Sequence, residues 1–156
     1  MTRYKTLKSK KAQPGIQPYS NIAYRVQVIA NQHLADSIIT FMIVYFDFDK
    51  HSLPVNEQKH LQEEIIEKLF ANKNSYAIVN GHTDIRGSNV YNLGLSKERA
   101  DYVKNLIISH GIAEKHVRTY FFGESQVLKE CEHPVKCDDS VHQENRRVEI
   151  ILLLND

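Results

Sequence analysis

No stretch of this chain approaches the run of about eighteen apolar residues that a membrane-spanning helix requires. The longest, Phe41-Met42-Ile43-Val44-Tyr45-Phe46, has the length of a buried strand. The basic start is not expected to act as a secretory signal, because no apolar stretch follows it. Net charge is nearly absent, at +1 over 156 residues, which argues against a nucleic-acid partner held by phosphate neutralisation. There is no internal repeat of diagnostic period and no low-complexity tract, so a repeat array is excluded. Cysteine is limited to Cys131 and Cys137, on either side of Pro134.

What remains is ordinary globular material, with 42% hydrophobic and 25% charged residues. The length suits one domain plus an appendage, enough for a real core. Charge is uneven along the chain, since Arg3, Lys5, Lys8, Lys10 and Lys11 crowd the start. They read as a solvated lead, with contact to anionic phosphate groups or a membrane surface as the alternative. Pro14-Gly15 and Pro18 extend that lead, so residues 1–21 are expected to be flexible. Residues 22–38 hold an alternating Tyr24-Arg25-Val26-Gln27-Val28-Ile29, an extra strand or linker, and 39–156 form the domain.

Within the domain, Thr40 to Phe48 reads as a strand. A helix follows from a cap at Asn56 to about Asn72, with Leu61, Ile65, Ile66, Leu69 and Phe70 as its stripe. Glu57, Glu63, Glu64 and Glu67 supply its wet face. Tyr76 to Asn80 is a second strand. A second helix starts at Val90 or Leu95, packs Ala100, Val103, Leu106 and Ile107 inward, and stops at Gly111. Val117–Phe122 and Arg147–Leu154 are further strands, joined by a long irregular connection that holds the cysteines. The order β-α-β-α-β-loop-β predicts a two-layer α/β sandwich, a mixed sheet with helices on one face. Right-handed crossovers predict that the first three strands are mostly parallel neighbours.

The chemistry concentrates in Gly81-His82-Thr83-Asp84-Ile85-Arg86-Gly87 and the helix Tyr91-Asn92-Leu93-Gly94-Leu95-Ser96-Lys97-Glu98-Arg99-Ala100. An acid, Asp84, ends a strand and a base, Arg99, stands on the next helix. A ligand with an amine and a carboxylate on one carbon needs such a clamp: Asp84 accepts from the ammonium and the Arg99 fork grips the carboxylate. Asp47, Thr83 and Asp84 all fall just past strand ends, the edge where open α/β sheets bind ligands. Two acids and two arginines, with Arg146 the second, compensate the desolvation of a zwitterion at little net charge. No nucleophile stands beside a base in these motifs.

Simpler readings accompany several positions. Asp84 is open to being a turn residue, or one half of a surface pair with Arg99. His82 reads as a polar turn residue rather than a metal ligand or general base, Asp49-Lys50 as a helix-entry turn, and Phe48 as core. Strand alternation aims only one of Arg146 and Arg147 at the pocket, leaving the other as a solvated partner for a nearby acid. In an oxidising compartment Cys131 and Cys137 suit a small disulfide loop, stabilising by about 2 kcal/mol. Free thiols remain open, as does a metal site with Cys131, His133, Cys137 and His142, whose spacing matches no standard zinc pattern well.

Flanked by Tyr45-Phe46-Asp47-Phe48-Asp49-Lys50 and Asn145-Arg146-Arg147-Val148-Glu149-Ile150, the motif resembles the OmpA-like domain family over residues 40–154. Arg86-Gly87 and Tyr91-Asn92-Leu93 are most similar to its Pal branch. The resemblance implies a non-catalytic peptidoglycan-binding module without cofactor or metal, whose ligand is the diaminopimelate of the stem peptide. It assigns the ammonium to Asp84, the α-carboxylate to Arg99, a polar neighbour to Thr83, a closing amide to Asn92, a second acid to Asp47 and the rim to Arg146. It implies a periplasmic location beside the outer membrane, peptidoglycan and an outer-membrane protein complex as partners, and a mature piece without its signal or N-terminal context. The cysteine-bearing insertion between Gly123 and Asn145 is longer than that branch has, and it adjoins Arg146, where it could gate the ligand or meet a partner. Gly123-Glu124 follows the family, but no Pro comes soon after. The rival readings are an assembly module with a vestigial pocket, and a cell-wall hydrolase, which needs a metal triad or an activated nucleophile.

Overall fold

Phe41 to Val44 are all buried, so this run must lie in a sheet covered on both faces. In the computed structural model, which describes residues 4–8 and 38–154, five strands form that sheet. They are β1 (Tyr4–Lys8), β2 (Ile38–Tyr45), β3 (Tyr76–Gly81), β4 (Val117–Phe121) and β5 (Arg147–Leu154), in the order β1-β2-β5-β3-β4. One face carries Met42, Val44, Ala77, Val79, Val148, Ile150 and Leu152, packed in one core with residues of the long helices. A smaller cluster, Phe41, Ile43, Ile78, Ile151 and Leu153, occupies the other face, with Leu128 of the cysteine-bearing connection against it. The two-layer α/β sandwich expected from periodicity is the fold observed.

The strand order differs from the expectation in one respect. β5 enters between β2 and β3, antiparallel to both, and only β3 and β4 pair in parallel. β5 is buried along almost its whole length, and such a strand belongs in the middle of a sheet. Since β2 and β3 both oppose β5, they still run the same way, and their C-terminal ends share one edge. β5 starts at that edge, with Arg147 opposite Tyr45 and Val148 opposite Gly81.

At the far side, Tyr4–Lys8 pairs antiparallel with β2, from Tyr4 opposite Met42 to Lys8 opposite Ile38. Part of the lead read as flexible is thus an edge strand. The strand expected at Tyr24–Ile29 lies outside the described residues.

The first helical stretch runs as α1 (Val55–Leu61), a π turn (Gln62–Ile66) and α2 (Glu67–Ala71). Pro54, not Asn56, occupies the cap position, and its carbonyl accepts from Gln58 N at 3.0 Å. The wide π turn keeps an i, i+4 ladder of Glu57, Leu61, Ile65 and Leu69 facing inward. Two expectations change in consequence: Glu57 is buried, and Phe70 is turned outward. The long helix α3 (Asn89–Ser109) starts at Ser88, whose Oγ accepts from Tyr91 N at 3.2 Å. It stops at Gly111, whose φ of 92° is the left-handed conformation a helix end demands.

Candidate functional site

Hydrogen bonds extend the sheet past its strand ends and so set the start of each loop. Phe46 N donates to Arg146 O at 2.9 Å, His82 N to Arg147 O at 2.9 Å, and Thr83 N to Gly123 O at 2.9 Å. Between these loops and the first turns of α3 lies a cleft of about 250 Å³. Thr83, Asp84, Asn92, Arg99 and Arg146 all line it, and each is buried. Asp47 does not: its side chain faces a neighbouring hollow with Tyr45, Glu57 and Gln143. Asp49 lines the cleft instead, at a left-handed φ of 56°, and the Tyr91 hydroxyl donates to it.

Asp84 and Arg99 make no bond to each other, so the simple ion pair is not what the structure contains. Asp84 Oδ1 accepts from Arg86 N at 2.9 Å and Arg86 Nε at 3.2 Å. Its Oδ2 accepts from Arg86 Nη2 at 2.6 Å and from Arg146 Nη1 at 3.3 Å. Burial alone would raise the Asp84 pKa; the Arg86 hydrogen bonds and charge, with Arg146 behind them, outweigh it and hold the carboxyl below its ordinary 3.8.

Arg99 sits on the inner face of α3, one residue before the core residue Ala100, and its side chain is fully buried. Its guanidinium donates to three backbone carbonyls: Lys50 O at 2.9 Å, His82 O at 3.0 Å and Asp47 O at 3.4 Å. The Phe46 ring lies 5.2 Å away. Burial pushes its pKa down to about 10, with the charge of Asp84 working against that shift and the charge of Arg146 adding to it. It remains a cation at neutral pH.

The other lining groups are held in turn. Asn92 Nδ2 donates to Asp84 O at 3.3 Å and to Glu124, which gives the Gly123-Glu124 pair a structural purpose. Arg146 donates to Phe46 O at 3.2 Å and to Gln143, and reaches Asp139 at 3.5 Å. Thr83 Oγ1 is buried and has no hydrogen-bond partner among the described residues.

Sequence reasoning missed Arg86, Gln143 and Glu124 as parts of this network. The one available signal was the Asp84-Ile85-Arg86 spacing, which lets an Asp side chain accept from the backbone two residues on. Phe48, expected in the core, is 57% exposed and carries the Arg86 guanidinium 4.3 Å from its ring centre. His82, expected as a polar turn residue, is fully buried, stacked on Phe122 at 5.2 Å with Nε2 3.5 Å from Glu149. Arg147 is not solvated either. It is fully buried, on Glu149 at 2.6 Å and Gln126 O at 3.0 Å, because its strand face is covered by the 122–138 connection.

Cys131 and Cys137 form a disulfide, their Cα atoms 6.0 Å apart, which takes both out of the free-thiol and metal readings. The connection they close leads into α4 (Asp139–Asn145). Asn145 Oδ1 accepts from Leu128 N at 2.8 Å and Lys129 N at 3.0 Å. Asp139, at the head of α4, reaches Arg86 at 3.7 Å and Arg146 at 3.5 Å, so the insertion supplies part of the cleft rim.

The OmpA family model matches residues 45–138. The chain belongs to the OmpA family. Among curated relatives it is 33% identical over 108 residues to a peptidoglycan-associated lipoprotein of Buchnera aphidicola, covering 69% of this chain and 59% of that protein. A peptidoglycan-associated lipoprotein of Pasteurella multocida is 29% identical over 121 residues, 78% of this chain and 77% of its own length. The chain thus spans less than two thirds of some of these OmpA-family relatives. The peptidoglycan-associated lipoprotein structure from Burkholderia pseudomallei superposes with a TM-score of 0.64 at 26% identity, over 70% of this chain and 88% of that one. The family and fold expected from the three sequence landmarks are therefore those found.

Proposed function

We propose that this chain binds peptidoglycan without catalysis, through the diaminopimelate of the stem peptide, and anchors an outer-membrane protein or complex to the cell wall from the periplasm. The observation that carries this reading is Arg99. A guanidinium has five N–H donors in a rigid fork; three are engaged by carbonyls, and the others have no acceptor among the described residues. A buried cation that lines a cleft and lacks a carboxylate of its own suits a carboxylate brought by a ligand. Asp84 supplies the opposite charge for the ammonium, and Thr83 Oγ1 offers a further polar contact. Asp47 is not placed to help; Asp49 is the second acid at the cleft. The names of the relatives, peptidoglycan-associated lipoproteins, support the polymer and the envelope location. Affinity at one site is modest because polar groups exchange water for protein, and repeated sites on the polymer supply avidity.

The test is sedimentation with purified, protein-free peptidoglycan, comparing the unaltered chain with Asp84→Asn and Arg99→Lys. Arg99→Ala would strip the donor from three carbonyls, each loss costing about 1–3 kcal/mol, so lysine keeps the charge while removing the fork, and melting curves check the fold. The unaltered chain is expected to pellet and both variants to stay in the supernatant. Equal pelleting of all three overturns the cleft as the determinant. If none pellets, the chain is an assembly module rather than an anchor; muropeptides released into the supernatant would mark a hydrolase.

A further inference from the structure

The acid meant for the ligand's ammonium is already occupied. Asp84 accepts from Arg86 through a backbone N–H, Nε and Nη2, and from Arg146 through Nη1, which fills the roughly four acceptor sites of a carboxylate. An entering ammonium therefore has to displace a donor. The donors differ in how firmly they are held. The Arg146 side chain is 4% exposed and tied as well to Phe46 O and Gln143. The Arg86 side chain is 28% exposed, and among the described residues its contacts apart from Asp84 are rim groups: the face of Phe48 at 4.3 Å and Asp139 at 3.7 Å. Asp139 is 76% exposed, so it can receive the guanidinium at the rim. With Arg146 alone on one oxygen, Asp84 would be buried and only partly paired, which is costly, and a second cation on a flexible stem avoids that.

We propose that Arg86 is a tethered stand-in for the ligand's ammonium: it covers Asp84 while the cleft is empty and moves toward Asp139 when an amine-bearing ligand enters. This rests on the clamp reading above and adds a source of selectivity. A ligand with the carboxylate alone cannot take Arg86's place on Asp84, so the cleft admits the complete zwitterion and resists its acylated form. Arg86 is thus a specificity-determining residue that acts by competition.

Calorimetric titration decides this, with a diaminopimelate muropeptide and the same muropeptide N-acetylated on its free amine, against the unaltered chain, Arg86→Ala and Arg86→Met. The methionine keeps an unbranched stem over Phe48, and thermal melts of each variant establish that it is folded. Removing the competitor is expected to lower Kd for the amine-bearing muropeptide about fivefold, the scale of a part-exposed ion pair. Binding of the acetylated form should stay weak and unchanged. Weaker binding of the amine-bearing form by folded variants overturns the inference and makes Arg86 a direct ligand contact. Equal tightening for both muropeptides overturns it too, since the effect would then be a wider cleft. If no protein binds either muropeptide, the clamp reading itself falls and this inference with it.

Discussion

Two ionisable side chains at the centre of the cleft are shifted by different balances of the same forces. For Arg99, burial dominates and the pKa falls to about 10. For Asp84, hydrogen bonds and charges from Arg86 and Arg146 outweigh burial and the pKa also falls. The second shift has a sign that can be tested. A carboxyl whose folded pKa lies below its unfolded value stabilises the fold fully above the unfolded value, and the contribution fades as pH drops through the folded one. The melting temperature of the unaltered chain should therefore decline below about pH 4 more steeply than that of Asp84→Asn, the two curves converging in acid. Parallel curves from pH 7 downward would mean that Asp84 is not stabilised by these partners. At this scale the sequence was only partly legible. Asp84 and Arg99 were visible as an acid and a base at useful places, yet their actual partners, Arg86 for one and backbone carbonyls for the other, are not readable from spacing along the chain. A clue to the burial of Arg99 was present: it shares the i, i+4 face of Val103 and Ile107.

Among the elements, α3 joins core and site. Its inward residues at the cleft end are mostly polar, Asn92, Ser96 and Arg99 with Leu95 among them, and apolar farther along, Ala100, Val103 and Ile107. The apolar half announced the helix; the polar half, which carries function, diluted the same periodicity and blurred its start. α3 crosses the end of β3 so closely that a Cβ on Gly81 would stand 1.9 Å from Ser96 O. Backbone on backbone cannot yield, so Gly81→Ala is expected to destabilise by at least about 2 kcal/mol and to displace Thr83 and Asp84 with it. Urea unfolding measures the first effect and peptidoglycan sedimentation the second. A variant of unchanged stability would show that helix and strand are not so tightly opposed. The π turn between α1 and α2 shows the limit of periodicity from the other side. A template of 3.6 residues per turn places Phe70 inside and Glu57 outside, and the wider turn reverses both.

Over the whole molecule, the cleft stands at the edge of the sheet where β2 and β3 end and β5 begins, while the basic lead contributes to β1 at the margin. Binding through the buried charges of the cleft and binding through a solvated basic segment respond differently to salt, because solvated charges are screened over a Debye length of about 10 Å at 0.1 M that shortens to about 3 Å at 1 M. Peptidoglycan retention by the cleft should persist on raising salt across that range; retention that collapses would assign binding to Lys5, Lys8, Lys10 and Lys11 instead. The sequence alone determined the fold class, the four central strands, the two long helical stretches and the family, because apolar periodicity and short motifs are local properties written along the chain. The edge strand Tyr4–Lys8 and the helix Asp139–Asn145, in segments read as flexible and irregular, were not legible in it. It also placed an acid and a base at one strand edge. Only the tertiary structure decided that β5 lies between β2 and β3, that Asp49 rather than Asp47 lines the cleft, that Arg147 and His82 are buried, and that Arg86 covers Asp84. Each of these depends on which distant segment covers a given face or fills a given hydrogen bond, and sequence separation does not encode that distance.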